Sequence, residues 1–287
     1  NDDIEKIFKK GDVKLVVIFP ANFNEDLIHF NIAQVQLIAD ASDPNNATTL
    51  TAYASNIIRD YQQGLKANNR LPYAIHTEVR MLYNPQLKGA FNFVPGVMAL
   101  VLMLVCTMMT AITIVKEKET GTMEIMLVSP IQPLKIILAK AVPYLLLSIV
   151  NITTILLLSV YVLDVPIRGN LLLLFSESIL FTITSLTLGL LISTGTDSQQ
   201  TAMFISLVGM FLPTVMLSGF LFPIENMPGI LQAFSNIIPA RWYYLIVKAV
   251  MIKGLPFSSV VKPTLILLAM TLLFLVISIK KFKIRLA

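Results

Sequence analysis

Cysteine is almost absent from this chain. Cys106 is the only one in 287 residues, so no disulfide can form within it. It lies inside an apolar run, and the polar N-terminal stretch has none, so cysteine usage leaves the redox compartment unread. Histidine is nearly as scarce. His29 and His76 are far apart and form no recognisable metal-ligand pattern. Phosphate-binding loops are missing: neither G-x-x-x-x-G-K-[ST] nor a Rossmann glycine pattern occurs. There is no H-E-x-x-H, and no Ser, His and acid set at a catalytic spacing, so no hydrolytic chemistry is visible. Charge is low, at 14% Asp, Glu, Lys and Arg, with a modest net +5. Part of that excess, Lys280, Lys281, Lys283 and Arg285, follows an apolar run and lacks the interleaved aromatics of a nucleic-acid surface.

What is abundant is apolar surface. The chain is 55% hydrophobic with a mean hydropathy of +0.75, beyond the usual range of a soluble globular domain. Five runs are long enough to cross a bilayer: about Phe93–Val115, Ile136–Leu163, Leu171–Ser193, Thr201–Phe222 and Pro263–Ile279. The last is short for a span. Lys140 interrupts the second from a position where a lysine can snorkel. Glu177 interrupts the third.

The first 92 residues are of a different kind. Asp2–Lys10 reads as a helix stopped by Gly11. Val13–Phe19, Ile32–Asp40 and Ile75–Leu82 read as strands. Asn24–Phe30 reads as a short helix, and Asp43-Pro44-Asn45-Asn46 opens a longer one to about Leu65, with Asn46 part of the helix entry. This order predicts a small α/β domain over 1–92, followed by a membrane domain over 93–287. The expected fold is a mainly α-helical polytopic membrane protein with an N-terminal extracytoplasmic α/β domain.

Orientation follows from basic residues. One face carries Lys116, Lys118, Lys135, Lys280, Lys281, Lys283 and Arg285; the other carries Arg168, Arg241, Lys248, Lys253 and Lys262. The positive-inside rule puts the first face and the C-terminus in the cytoplasm, and residues 1–92 outside. An exported domain needs a leader, and no apolar leader precedes this one. The expectation is a sixth, first span upstream of Asn1.

The segment Lys116-Glu117-Lys118-Glu119-Thr120-Gly121-Thr122-Met123-Glu124-Ile125-Met126-Leu127-Val128-Ser129-Pro130 emerges between two spans. It reads as a short amphipathic helix. Thr122 is placed as N-cap, Glu124 sits early where the helix dipole favours an acid, and Met123, Met126 and Leu127 share a face. Pro130 stops it. Two uses stand: a handle for a partner, or a helix lying on lipid headgroups. The third span is unusually polar and small, with Ser176, Glu177, Ser178, Thr182, Thr184, Ser185, Thr187 and Gly189. Close helix packing and a water-lined path both suit it. Glu177 fits either a substrate or proton contact or the outer headgroup zone. The fourth span holds Gly209 and Pro213, a kink signal. Residues 224–260 are too interrupted to span, and read as outer re-entrant or interfacial helices over Ile230–Ile237 and Arg241–Ile252. Trp242, Tyr243 and Tyr244 suit an interfacial belt.

These pieces together resemble the membrane subunit of type-2 ABC exporters of the bacterial multidrug-efflux kind. The matching strings are Lys116–Glu124 with Ser129-Pro130, Gly189–Thr194 with Gln199-Gln200, Leu217–Pro228, and Ile238-Pro239-Ala240-Arg241-Trp242-Tyr243. The resemblance implies six spans in the bacterial inner membrane, a large outer domain after the first, and ATP bound on a separate ATPase subunit. The chain itself would hold no cofactor and hydrolyse nothing. Residues 117–128 would be the coupling helix, with Glu117, Glu119, Gly121, Thr122, Glu124 and Leu127 docking the ATPase. Glu177, Ser178, Thr182 and Ser185 would line the translocation path. The expected partners are the ATPase, a second permease (another copy or a related chain), a periplasmic adaptor and membrane lipid, with no nucleic acid. The competing reading is a membrane-anchored sensor or structural protein whose outer domain binds a ligand or partner.

Overall fold

The structure is a computed structural model, and it describes residues 4, 7–9, 11, 13–68, 74–122 and 133–284. The chain divides into two compact units, Asn1–Asn92 and Phe93–Ala287.

The first unit is built on a three-stranded sheet, β1 (Leu15–Ile18), β2 (Ile32–Asp40) and β3 (Ala74–Leu82), with α1 (Phe23–His29) and α2 (Pro44–Asn68) between them. The order is β1-β2-β3. β1 runs antiparallel to β2, with Leu15 opposite Ala39, and β3 runs parallel to it, with Ala74 opposite Ile32. Parallel neighbours need a long crossover, and α2 supplies it. The alternation in β2 turns Ala33, Val35 and Leu37 into a core with Leu27 of α1 and Ile75 of β3, closed by Ala54, Ile58 and Leu65 of α2. Burying a side chain such as Leu37 stabilises the unit by about 2 kcal/mol. α2 starts where expected: the Asp43 carboxylate accepts from the Asn46 backbone N–H at 3.3 Å, and Pro44 fills the first helical position. Of the expected helix over 2–10, residues 4 and 7–9 are described and helical.

The second unit is helical. Among the described residues, five helices are long and apolar enough to cross a membrane: α3 (Ala90–Glu119), α4 (Pro133–Tyr161), α5 (Leu171–Thr194), α6 (Gln199–Leu217) and α9 (Phe257–Ile284). Between α6 and α9 lie a 3-10 turn (Ile224–Asn226), α7 (Gly229–Ser235), α8 (Pro239–Val247) and a π-helical turn (Lys248–Ile252).

Polar rungs between helices set their directions. Cys106 and Thr113 of α3 meet Ser148 and Tyr144 of α4, so these two run antiparallel. Thr107 of α3 donates to the Ser185 carbonyl of α5 at 3.1 Å, and Lys118 reaches Ser193, so α3 and α5 are parallel. Thr264 of α9 donates to Glu177 Oε1 at 2.9 Å, and Thr184 meets Thr271 at 2.7 Å. The seven-residue step on both helices makes α5 and α9 parallel, with heptad-like spacing. Thr214 of α6 donates to Met103 Sδ at 3.4 Å while Gln199 bonds Glu119, so α6 opposes α3. One end of the bundle therefore gathers the ends of α3, α5 and α9 with the starts of α4 and α6.

Several boundaries differ from expectation. The fifth span does not begin at Pro263: α9 starts at Phe257 and carries Pro263 inside it. The proline removes only the backbone donor that would meet the Ser259 carbonyl, in the first turn of the helix, and α9 continues through it. The fourth span stops at Leu217 instead of Phe222, because Gly219 takes φ +85° and breaks the helix. Pro239, which falls between the two short helices expected over Ile230–Ile237 and Arg241–Ile252, is the first residue of α8. Trp242, Tyr243 and Tyr244 do not form one interfacial belt: Tyr243 and Tyr244 are buried.

Candidate functional site

The charged segment after the first apolar run is divided in the structure. Lys116–Glu119 forms the last turn of α3 instead of opening a separate helix. Thr120 and Gly121 make a turn, with Gly121 at φ +73°, and helix resumes at Thr122. Residues 123–132 lie outside the described residues, so Glu124 and Leu127, and the backbone donors that Thr122 would cap, lie outside them too. The Thr122 hydroxyl donates back to the Glu117 carbonyl at 3.3 Å.

Three consecutive side chains leave that last turn in three directions. Glu117 forms an ion pair with Lys140 of α4, so Lys140 has a carboxylate partner beyond simple snorkelling. Lys118 Nζ donates to the carbonyls of Ser193, on the final turn of α5, and Thr196 just past it, the latter at 3.4 Å. Carbonyls at a helix C-terminus lack intrahelical donors and carry the negative end of the dipole, so an ammonium belongs there. Glu119 Oε2 accepts from the Gln199 side chain at 2.8 Å and its backbone N–H at 3.3 Å. Gln199 opens α6, whose N-cap Ser198 makes no side-chain capping bond. The α3 carboxylate thus caps α6 from a neighbouring helix.

The polar residues of α5 lie between helices. Ser178 Oγ bonds the Tyr243 hydroxyl of α8 at 2.7 Å, and the Tyr243 ring stacks on Phe181 at 4.1 Å. Burial, with the neighbouring Glu177 charge, pushes the Tyr243 phenol up, against the Ser178 bond. Ser185 bonds the Phe181 carbonyl, and Gly189 faces the Thr107 carbonyl so closely that no Cβ fits. Glu177 is buried, with Oε1 on Thr264; Oε2 has no hydrogen-bond partner among the described residues. The Thr182 hydroxyl is likewise buried and unpartnered there. Of the four expected path residues, Ser178 ties α5 to α8, the Ser185 side chain bonds within α5 while its backbone carbonyl accepts from Thr107, and Glu177 and Thr182 each keep a polar atom without a partner among the described residues.

At the other end of the bundle, α7 and α8 form a polar-tied corner. Arg241 donates to Ser235 Oγ and to the Gln232 carbonyl, and lies 5.2 Å from the Trp242 ring. Burial lowers its guanidinium pKa and the Glu225 charge raises it. The π-helical turn is met by the Arg168 N–H, which donates to the Met251 carbonyl at 3.0 Å. Gly169 packs against Val250 O in the same place, where a Cβ would collide.

Sequence reasoning missed Lys118, Lys140, Gln199, Thr264 and Tyr243 as partners of the named residues. Each pairing crosses between helices, and no periodicity within one helix reports it.

Five helices long and apolar enough to cross a membrane among the described residues, joined by interhelical polar ties, describe a polytopic membrane protein by length and composition. The profile of the ABC-2 family transporter proteins matches residues 2–280, and the chain belongs to that family. It is 34% identical over 280 residues to the probable multidrug ABC transporter permease YbhS of Escherichia coli K12, covering 96% of this chain and 74% of that one. It is 33% identical over 239 residues to YbhR of the same organism, named likewise, covering 83% and 65%. The inner membrane transport permease YhhJ of E. coli is 28% identical over 289 residues, covering 98% and 76%. The chain is thus a multi-pass permease subunit of an ABC exporter. ATP binding and hydrolysis lie in a partner ATPase. Similarity to two distinct E. coli permeases supports pairing of permease chains.

Proposed function

We propose that the chain pairs with a second permease, a copy of itself or a related chain, in the bacterial inner membrane and exports amphipathic, drug-like molecules. The names of YbhS and YbhR as multidrug permeases support the substrate class, and that of YhhJ supports the membrane. Residues 1–92 lie outside and the C-terminus is cytoplasmic, as the excess of Lys near the end of α3 and the C-terminus supports. The coupling segment 117–128 docks the ATPase, and 224–260 sits on the outer side. Glu177 and Thr182 serve the path, on the strength of their unpartnered polar atoms. A periplasmic adaptor engages the outer domain, and lipid surrounds the spans.

One observation carries this reading. Three helices and the emerging charged segment are tied together at a single end of the bundle by Glu117, Lys118 and Glu119. A partner that moves this segment moves the spans, by a differential affinity for two states. The test is ethidium efflux from intact cells expressing the chain with its ATPase and pairing permease. Faster efflux than in cells with an inactive ATPase supports the reading. Equal efflux excludes this substrate class.

A further inference from the structure

We infer that the last turn of α3 is a transmission clamp, in which Glu117, Lys118 and Glu119 each fasten a different span to the coupling segment. The inference rests on the coupling reading above and adds how motion travels beyond the docking surface. Adjacent helical residues project about 100° apart, so three in a row reach three neighbours. Here the neighbours are α4, α5 and α6. Each contact has its own chemistry. Glu117 with Lys140 is an ion pair. Lys118 places a cation on the C-terminal carbonyls of α5. Glu119 places an anion on the N-terminal donors of α6, where the helix's own cap residue is idle.

Two of the three contacts thus satisfy helix-end groups that would otherwise need water or a local cap. Gly121 ends α3 immediately after the clamp, so a push on the following segment enters here. Lys118 and Glu119 are positioning residues: they keep the ends of α5 and α6 in step with α3.

The test uses the permease assembled with its ATPase, in a Cys106→Ala background, with spin labels at Thr120 and Gln200, both exposed. The clamp predicts a narrow distance distribution whose mean shifts by less than about 2 Å between the nucleotide-free and ATP–vanadate-trapped states, the scale of small helix adjustments. Lys118→Met should broaden it, and Lys118→Arg should restore it. A shift larger than about 2 Å in the wild-type complex overturns the proposal. So does a distribution that stays narrow in Lys118→Met. If Lys118→Met does not accumulate, Glu119→Leu carries the same expectation and the same refutation. Co-purification of the ATPase with a Glu124→Lys variant reports separately on docking. Retained ATPase there would remove the docking assignment and leave the clamp to the distance measurement.

Discussion

Gly189→Ala is expected to wedge α3 and α5 apart. An alanine Cβ at this position would collide with the Thr107 carbonyl oxygen and approach Thr110 Cβ to 2.9 Å. Both obstacles sit on α3, and one is backbone, so relief requires movement of a helix. Overpacking of this kind costs about 1–3 kcal/mol. Separation also strains the nearby bond from Thr107 to the Ser185 carbonyl, and interhelical bonds in membranes contribute about 0.6 kcal/mol. The better helix propensity of alanine returns up to about 1 kcal/mol. The net loss is about 1–2 kcal/mol, or about 2–8 °C in Tm for a chain of this size. Gly209→Ala is the control: its Cβ would meet only Ile205, at 3.8 Å, and should leave Tm unchanged or raised. The assay is thermal unfolding of the purified full chain in detergent, followed by tryptophan fluorescence. A Gly189→Ala protein at least as stable as wild type would refute the close-packing account of α5.

Other expectations follow from single contacts. Tyr243→Phe keeps the ring stack on Phe181 and removes the bond to Ser178, for a loss of about 1 kcal/mol; Tyr243→Ala also leaves a cavity and should lose about 3–5 kcal/mol in the same unfolding assay. Cys106 is buried against Ser148, so maleimide should label it only after denaturation. Glu117→Lys should lower stability, and the exchange Glu117→Lys with Lys140→Glu should recover about 0.5–1 kcal/mol, since the pair is partly exposed; no recovery would deny the ion pair. In a Cys106→Ala background, an impermeant thiol reagent outside intact cells should label Gln63→Cys and spare Thr120→Cys. The reverse pattern would invert the proposed orientation.

The apolar runs made the spans legible, because about 20 consecutive residues without charge have few other uses. The strand β2 was legible from Val35 and Leu37 alternating with Gln34 and Gln36, although Ile32, read with them, lies on the exposed face; the α2 start was legible from Asp43-Pro44. Ends were less so. Pro263 looked like a boundary because proline usually is one, yet α9 absorbs it; Gly219 ended α6 where apolar composition alone ran on to Phe222. The site was half legible. Acid and base at Glu117–Glu119 marked a place of contact, and family resemblance pointed to coupling. Their partners were hidden, because Lys140, Ser193 and Gln199 meet them through helix packing, a property of three-dimensional register. The same limit applied to Glu177. A lone acid in an apolar run announces a constraint, and only the rung from Thr264 shows it turned toward α9.

The central claim is that the end of the bundle bearing Glu117–Glu119 meets the ATPase. It is tested most directly by a photo-reactive amino acid placed at Glu124 or Leu127 and activated in intact cells. The account predicts a covalent adduct with the ATPase subunit from these positions and none from Gln63. Adducts with lipid alone at Glu124 and Leu127, while the ATPase still co-purifies with the chain, would contradict it.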